Sequence, residues 1–382
     1  MLPRGLNMRS TAKKPIISKE QPGNPCQELL LALSDRETTL RILADDDPEL
    51  RGLLLDKAEV CRLEVMGKQV YPRALIEFSN QCALNCFYCG LRRDNSDLLR
   101  YHLSVDEIVE LALQAWDMGL HSLALQSGEV HDENEVPFVI EVVKRVKQAT
   151  SRDGTSGMGI TLSIGELGFD AYRALFEAGA HRYLLRIETS DPDLFRRIHP
   201  PSQSYERRLE CLSYLKEIGY QVGTGVMVGL PGQSYEQLAS DLEFFRAWDI
   251  DMLGMGPYIT HPGTPLSRSR LPIIAHPFAT TLKMIALARL TMPEINIVCS
   301  TALQTINPAG LSLGIKAGAN VVMPVMTPDE HRREYSLYAH KKYSSLDRLV
   351  KNIADLGYEV ALDSWGDSRH YFKRQGLAYP VQ

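Results

Sequence analysis

The chain has 382 residues, 44% of them apolar and 23% charged, with seven cysteines and a net charge of −5. That length suits an eight-stranded α/β barrel with an extension, and the mild negative charge spread along the chain argues against a nucleic-acid surface. No apolar run reaches the ~20 residues of a membrane span, and residues 1–10 lack the apolar core of a secretion signal, so the cysteines point to a reducing cytoplasm.

Residues 1–24 are polar and broken by Lys13-Lys14-Pro15 and Gln21-Pro22-Gly23, which predicts a flexible tail. Residues 25–70 predict a helical extension. Leu29, Leu30 and Leu33 recur at helical spacing, Ser34-Asp35-Arg36-Glu37 starts a second helix, and Asp47-Pro48 opens a third. These helices are expected to cap the N-terminal end of the barrel, with Cys26 and Cys61 as small buried apolar side chains.

From 71 to 340 the pattern turns to strand–helix alternation. Strands are expected at 74–78, 122–126, 159–163, 182–188, 221–228, 252–257, 295–300 and 320–323. Capping boxes at Ser104/Glu107 and Ser234/Gln237 mark two of the helix starts. Eight short apolar strands separated by amphipathic helices predict an α/β fold, a complete (β/α)8 TIM-type barrel, with a doubly wound open sheet as the alternative. Residues 341–382 form a C-terminal closing segment. Nearly every polar or glycine-rich cluster follows a strand, which gathers these loops at one face, where chemistry sits in such barrels.

The loop after the first strand carries Cys82, Cys86 and Cys89. Four thiolates saturate a four-iron cube; three leave one iron open, and an open position takes a small molecule, as in catalytic zinc sites. A zinc site lacks a fourth ligand at knuckle spacing, His102 being the nearest candidate. Disulfides are disfavoured by the odd count and the compartment. The C-x3-C-x2-C spacing, with Tyr88 just before the third cysteine, resembles the signature of the radical S-adenosylmethionine (SAM) enzymes. That resemblance implies one oxygen-labile [4Fe–4S] cluster on Cys82, Cys86 and Cys89, with SAM chelated to the open iron. It also implies reductive cleavage of the S–C5′ bond to a 5′-deoxyadenosyl radical.

Other residues fit a SAM site beside that loop. Arg186 and Glu188 alternate on the fourth strand and so share a face. They are either a buried ion pair bracing the barrel or the complements of a zwitterion. Gln126 and Ser127 offer polar groups after the second strand, and Ser163 a hydroxyl at the end of the third. Arg208 can reach a carboxylate, although a helix arginine is commonly a solvated one. Gly223 and Gly225 leave one face of the fifth strand bare, a mark of close approach by a ligand or backbone. Met252 can pack on an adenine or belong to the core. Cys299-Ser300-Thr301, Tyr335 and Tyr338 fall at the mouth, as substrate contacts or as lid packing.

The run 76–95 around the cysteines resembles the HydE family, maturases of iron–iron hydrogenase. So do Leu125-Gln-Ser-Gly-Glu129, Thr161-Leu-Ser-Ile-Gly-Glu166, Arg182-Tyr-Leu-Leu-Arg186, Met227-Val-Gly-Leu-Pro-Gly-Gln233, Gly256-Pro-Tyr-Ile-Thr-His-Pro-Gly-Thr-Pro265 and Asn320-Val-Val-Met-Pro324. The likeness runs in order from about 70 to 340. It implies a SAM site of Ser163, Glu188 and Arg208, with Arg186, Thr301, Tyr335 and Tyr338 lining an inner cavity for an anionic substrate. No catalytic side chain is implied beyond the cluster and SAM. The implied activity directs the adenosyl radical at sulfur of an iron-bound cysteine species, in assembly of the two-iron subcluster. The implied partners are other hydrogenase maturases and an electron donor such as flavodoxin or ferredoxin, with no nucleic acid and no membrane.

Two departures stand out. The family often has His where this chain has Ile187, a position expected to face away from the lumen. Residues 300–382 contain no cysteine, so no auxiliary second cluster is expected. The alternatives are methylornithine synthase, with the same cluster loop and an amino acid substrate, and more weakly biotin synthase, which needs extra barrel cysteines. A third is a non-catalytic scaffold for an iron fragment.

Overall fold

The structure, a computed structural model, describes residues 35–129, 135–151, 156–343 and 345–380. The expected tail, the helix around Leu29–Leu33 and Cys26 lie outside them.

Two helices come first, α1 (Arg36–Ala44) and α2 (Pro48–Met66). Asp35 caps α1, its carboxylate accepting from the Thr38 amide at 2.9 Å. Asp47 caps α2 in the same way on Glu49, with Pro48 in the first turn, where its missing N–H costs nothing. They do not cap the N-terminal end of the sheet, as expected, but lie on the outer helix layer. Arg36 pairs with Glu243 at 2.5 Å, and Lys283 Nζ donates to the carbonyls of Leu43 and Asp45 at 2.6 and 2.7 Å. The reason is the helix Pro277–Thr291, buried at every position from Thr280 to Leu290. A helix buried on every side is covered on its outward face too, and α1 and α2 supply the cover. Cys61 is fully buried there, as expected.

Among the described residues eleven short strands join in one parallel sheet. They are β1 (Gln69–Pro72), β2 (Ala74–Ser79), β3 (Ser122–Ser127), β4 (Gly159–Ser163), β5 (Ala180–Leu184), β6 (Gln221–Thr224), β7 (Met227–Val228), β8 (Met252–Pro257), β9 (Asn296–Cys299), β10 (Val321–Val322) and β11 (Glu359–Val360). The order is β11-β1-β10-β9-β8-β6-β5-β4-β3-β2, with β7 on β8. This is a curled parallel sheet wrapped by helices, the TIM-type arrangement. The order ends at β11 and β2, and β1, next to β11, is separated from β2 along the chain only by Arg73. The Leu75 amide of β2 donates to the Pro324 carbonyl just past β10, and the Met326 amide returns to Leu75, both at 2.8 Å.

Sequence periodicity missed β1 and β11; it located the other strands, except that the expected fourth strand, 182–188, ends at Leu184 and the fifth, 221–228, is split. Beyond both breaks Glu188 takes a left-handed backbone, φ 64°, and pairs with the same neighbour through hydrogen bonds of 2.9 Å to Gly225 and 3.1 Å from Met227. Both expected capping boxes are present, at Ser104/Glu107 and Ser234/Gln237.

The N-terminal end of the sheet is closed by residues 365–368. Arg182, fully buried, donates to the Trp365 carbonyl at 2.6 Å, to Asp367 at 2.8 Å, to Thr161 at 2.9 Å and to Ser122 at 2.8 Å. Arg73 and Asn296 both donate to the Gly366 carbonyl, and the Ser368 amide donates to Gln221. Ser122, Gln221, Asn296 and Arg73 stand at or next to the starts of their strands, and Arg182 and Thr161 two residues in. They are polar because a plug made of backbone needs donors and acceptors to meet it. Among the described residues, no helix is long and apolar enough to cross a membrane.

Candidate active site

The C-terminal ends of the strands open into a cavity of about 310 Å³. The loop after β2 forms one wall and brings Cys82, Cys86, Cys89 and Tyr88 onto it. Its path is set by a single side chain. Arg100 donates to the carbonyls of Asn80, Leu91, Arg92 and Asn95 at 2.6, 2.9, 2.7 and 3.2 Å, turning carbonyls of 80–95 toward one guanidinium. The loop is also tied to its neighbours, Phe87 N to the Ile198 carbonyl and Gly90 N to the Leu337 carbonyl, both at 2.9 Å. Gly128 lies against it so closely that a Cβ there would fall 2.1 Å from the Gln81 carbonyl oxygen and 2.7 Å from Cys82 Cβ.

The three thiols are unpaired. Burial pushes all of them up, Cys89 to about 12, with mutual repulsion adding for Cys86 and Cys89. Thiolates in this place therefore need cationic metal against them. Cys82 Sγ already accepts from the Glu129 amide at 3.4 Å, the kind of bond that tunes a cluster sulfur. Among the described residues no three ligands converge on a single ion site. A cube held at three separate irons asks for spread thiolates, and a ring of three thiols with no fourth suits it. His102, the zinc alternative, is taken up by Glu135 at 3.2 Å and by Phe78 and Phe138.

Strand order carries the remaining groups to the same cavity. Gln126 and Ser163 are paired in register at the ends of β3 and β4, with Ser127 next along; all three line the wall. Arg186 and Glu188 lie beyond the end of β5, yet both reach the cavity, 3.0 Å apart. Burial raises the Glu188 carboxyl against the pull of Arg186 and Arg208. Arg208 is 6% exposed and bonds Glu166 at 2.6 Å. Burial works against its charge, but Glu166 and Glu129 together hold the guanidinium above its ordinary value. Thr301 and Tyr338 share a hydrogen bond of 2.8 Å across the mouth, and Tyr335, fully buried, lines the same space. The Nε2 of Gln203, the Oγ of Ser300 and the hydroxyl of Tyr335 have no hydrogen-bond partner although their residues line this wall. Buried polar atoms so placed are what a polar ligand would satisfy.

Met252 is a correction. It does not line the cavity, because it is the first residue of β8 and so lies at the far end of the strand. There its sulfur sits 2.7 Å from an Arg73 nitrogen. Met227 and Met255 line the cavity instead. The bare face of Gly223 and Gly225 is likewise filled by protein: a Cβ would fall 2.7 Å from the Met252 methyl and 1.9 Å from the Gly254 carbonyl oxygen. Ile187 faces outward into the core, as expected.

Five further groups meet this site; the sequence offers Glu129 with Gln126 and Ser127 as polar groups after the second strand, and the other four were passed over. Glu129 is raised to about 7 by burial, with Arg208 opposing and Glu166 adding to the rise. Gln203 meets Cys86 Sγ at 3.5 Å, and His199 meets the Tyr88 hydroxyl at 3.2 Å. Glu77 and Lys341 form a buried ion pair on the cavity wall. Only Glu129 carried a signal, lying beside Gly128 after a strand; the others depend on which turns fold over the mouth.

Comparison with known families agrees with this geometry. The Radical SAM superfamily profile matches residues 76–245, and that of the Biotin and Thiamin Synthesis associated domain matches 254–359. A solved structure of methylornithine synthase (PylB) superposes with a TM-score of 0.74 at 24% identity, over 89% of this chain and 98% of that one, a likeness of fold. The curled sheet and its cysteine loop thus define a radical SAM enzyme, whose cofactors are a [4Fe–4S] cluster and SAM. The chain is 42% identical to the [FeFe] hydrogenase maturase subunit HydE of Thermotoga maritima, over 91% of this chain and 99% of that protein. A 3-methylornithine synthase of Methanosarcina acetivorans is 27% identical over 86% of this chain and 91% of its own. The chain belongs to the HydE family of hydrogenase maturases.

Proposed function

We propose that this enzyme acts on an iron-bound cysteine species in building the two-iron subcluster of iron–iron hydrogenase, with attack at sulfur. The observation that carries the reading is the 42% identity to HydE along nearly the whole chain, together with one cavity lined by all three cysteines and by Glu188, Arg208 and Arg186. In this reading Cys82, Cys86 and Cys89 hold the cluster, which when bound supplies the electron that breaks the S–C5′ bond of SAM. Glu188 takes the SAM ammonium and Arg208 its carboxylate, charge-assisted bonds at a buried site. Ser163, Gln126, Ser127 and Tyr88 complete that pocket. Arg186, Thr301, Tyr335 and Tyr338 orient an anionic substrate on the opposite side, and the buried walls keep water from a carbon radical.

We further read the sheet as a complete (β/α)8 barrel, supported by the Leu75 hydrogen bonds that join its two ends. The domains proposed are an N-terminal helical extension over 25–70, the barrel over 71–340 and a closing segment over 341–382. Other hydrogenase maturases and a flavodoxin- or ferredoxin-like donor are the partners, and the cytoplasm the compartment, in keeping with an oxygen-labile cluster.

The test is anaerobic reconstitution followed by SAM and reductant. Release of 5′-deoxyadenosine is expected, abolished in Cys86→Ala along with the bound iron, since two thiolates do not hold the cube; cleavage retained in that variant would refute the assignment. Adding L-lysine should yield no 3-methylornithine, and its appearance would move the enzyme to the amino acid mutases. More than four irons per chain would contradict the expectation of a single cluster.

A further inference from the structure

The outer side of the cysteine loop carries a surface that the SAM and substrate pockets do not use. Phe87, next to Cys86, bonds two other segments through its backbone. Its amide donates to the Ile198 carbonyl at 2.9 Å, and its carbonyl accepts from Leu266 N at 3.0 Å. The end of the helix Pro192–Ile198 and the loop 265–273 therefore flank the cluster loop. The turn after β7 joins them, Gly232 N donating to the Pro272 carbonyl at 2.7 Å.

These flanks are basic and apolar in a chain of net charge −5. Arg197, Arg268 and Arg270 are exposed. Arg197 makes one long bond to a backbone carbonyl, 3.3 Å, and among the described residues none of the three has an acidic partner. Of the neighbouring charges, Arg196 is neutralised by Asp193 at 2.6 Å and Arg93 by Asp94 at 3.1 Å. Leu271 and Ile273, 50% and 49% exposed, stand in the same loop.

We infer that Arg197, Arg268, Arg270, Leu271 and Ile273 form the docking surface for a small acidic one-electron carrier protein, seated over Phe87 beside the cluster loop. The inference rests on the radical SAM reading of the site. Each SAM cleaved takes one electron, leaves the carrier oxidised by one, and breaks one S–C5′ bond to give methionine and the adenosyl radical. Unpaired arginines steer an acidic partner and set its register, while the two aliphatic side chains lose water on contact.

The test uses reconstituted holoenzyme and an acidic flavodoxin. Binding is read by isothermal titration calorimetry, and 5′-deoxyadenosine formation is driven either by reduced flavodoxin or by dithionite. The triple variant Arg197→Glu/Arg268→Glu/Arg270→Glu should weaken flavodoxin binding and slow the flavodoxin-driven rate by roughly tenfold or more, with the dithionite-driven rate unchanged. The wild-type protein should lose the same advantage in 0.5 M salt, where screening is nearly complete. Arg270→Glu alone, at an exposed unpaired site, should give a smaller loss of the same kind and guards against misfolding of the triple variant. Unchanged flavodoxin binding overturns the inference, as does a dithionite-driven rate that falls in step. A concentration-dependent dimer that Arg270→Glu dissolves, without flavodoxin binding, would give this face to a second copy. A wild-type protein that cleaves no SAM with dithionite would refute the radical SAM reading instead.

Discussion

Glu188 shows how much one residue decides. Its left-handed backbone, φ 64°, costs of order 1–3 kcal/mol for a non-glycine residue. Glu188 lies between β5 and β7, and its carboxylate stands in the cavity with Arg186 at 3.0 Å. On the SAM site proposed above, a strained, buried acid beside unpartnered wall atoms fits a ligand position better than a brace. Glu188→Ala should therefore weaken SAM binding by about 1–3 kcal/mol through an unpaired ammonium, measured by equilibrium titration, while Glu188→Gln should recover part of it. Unchanged SAM affinity in Glu188→Ala would return the residue to a bracing role.

Among the elements, the cysteine loop is the most dependent on others. It has no regular structure of its own between β2 and the helix beginning at Val105, so its carbonyls need donors, and Arg100 supplies several at once. Arg100→Ala leaves those carbonyls without their charged donor, at about 1.5–3 kcal/mol for each bond lost and not replaced by water. The expected outcome is a protein that folds, with its far-ultraviolet circular dichroism intact, but keeps less iron after reconstitution and desalting. Full iron retention would show that the neighbouring ties of Phe87 and Gly90 hold the loop unaided.

For the whole molecule, the closing of the N-terminal end governs stability. Asp367 faces Arg182 at 2.8 Å and His181 at 3.1 Å. Burial disfavours its charge, yet His181 and Arg182 hold the carboxyl well below the usual carboxylate range. Asp367→Ala should destabilise the protein by about 3–5 kcal/mol, because it strands a buried guanidinium; urea unfolding measures this. A folded-state value below the unfolded one means that the contribution is present above the unfolded value and fades as pH falls toward the folded one. The wild-type advantage over Asp367→Ala should thus be full at pH 7 and shrink from about pH 4 downward. A constant difference between pH 7 and pH 3 would show that the plug acts through packing alone. Truncation before residue 363 should be worse than the point variant, since it also removes the Gly366 carbonyl that Arg73 and Asn296 share.

The local code settled the chemistry by itself. Three thiols at C-x3-C-x2-C spacing, alternation of apolar strands with capped helices, and polar clusters placed after strands are short-range features. They survive without knowledge of distant contacts, so the class of enzyme and the end of the sheet that carries it were legible. Ser163, Arg186, Glu188 and Arg208 could be chosen because strand ends and helix starts are local too. Tertiary structure alone decided what lies opposite what. The turn at Glu188 depends on Gly225 from the next strand, and Met252 falls at the wrong end of β8 for an adenine. Glu77 meets Lys341 across 264 residues, and α1 and α2 cover an outer helix that is buried on every side. The N-terminal end was closed by a stretch near the C-terminus, whose backbone groups satisfy buried arginines. Such pairings follow from satisfying buried charge and covering apolar surface across the whole chain, and no window of neighbouring residues contains that information.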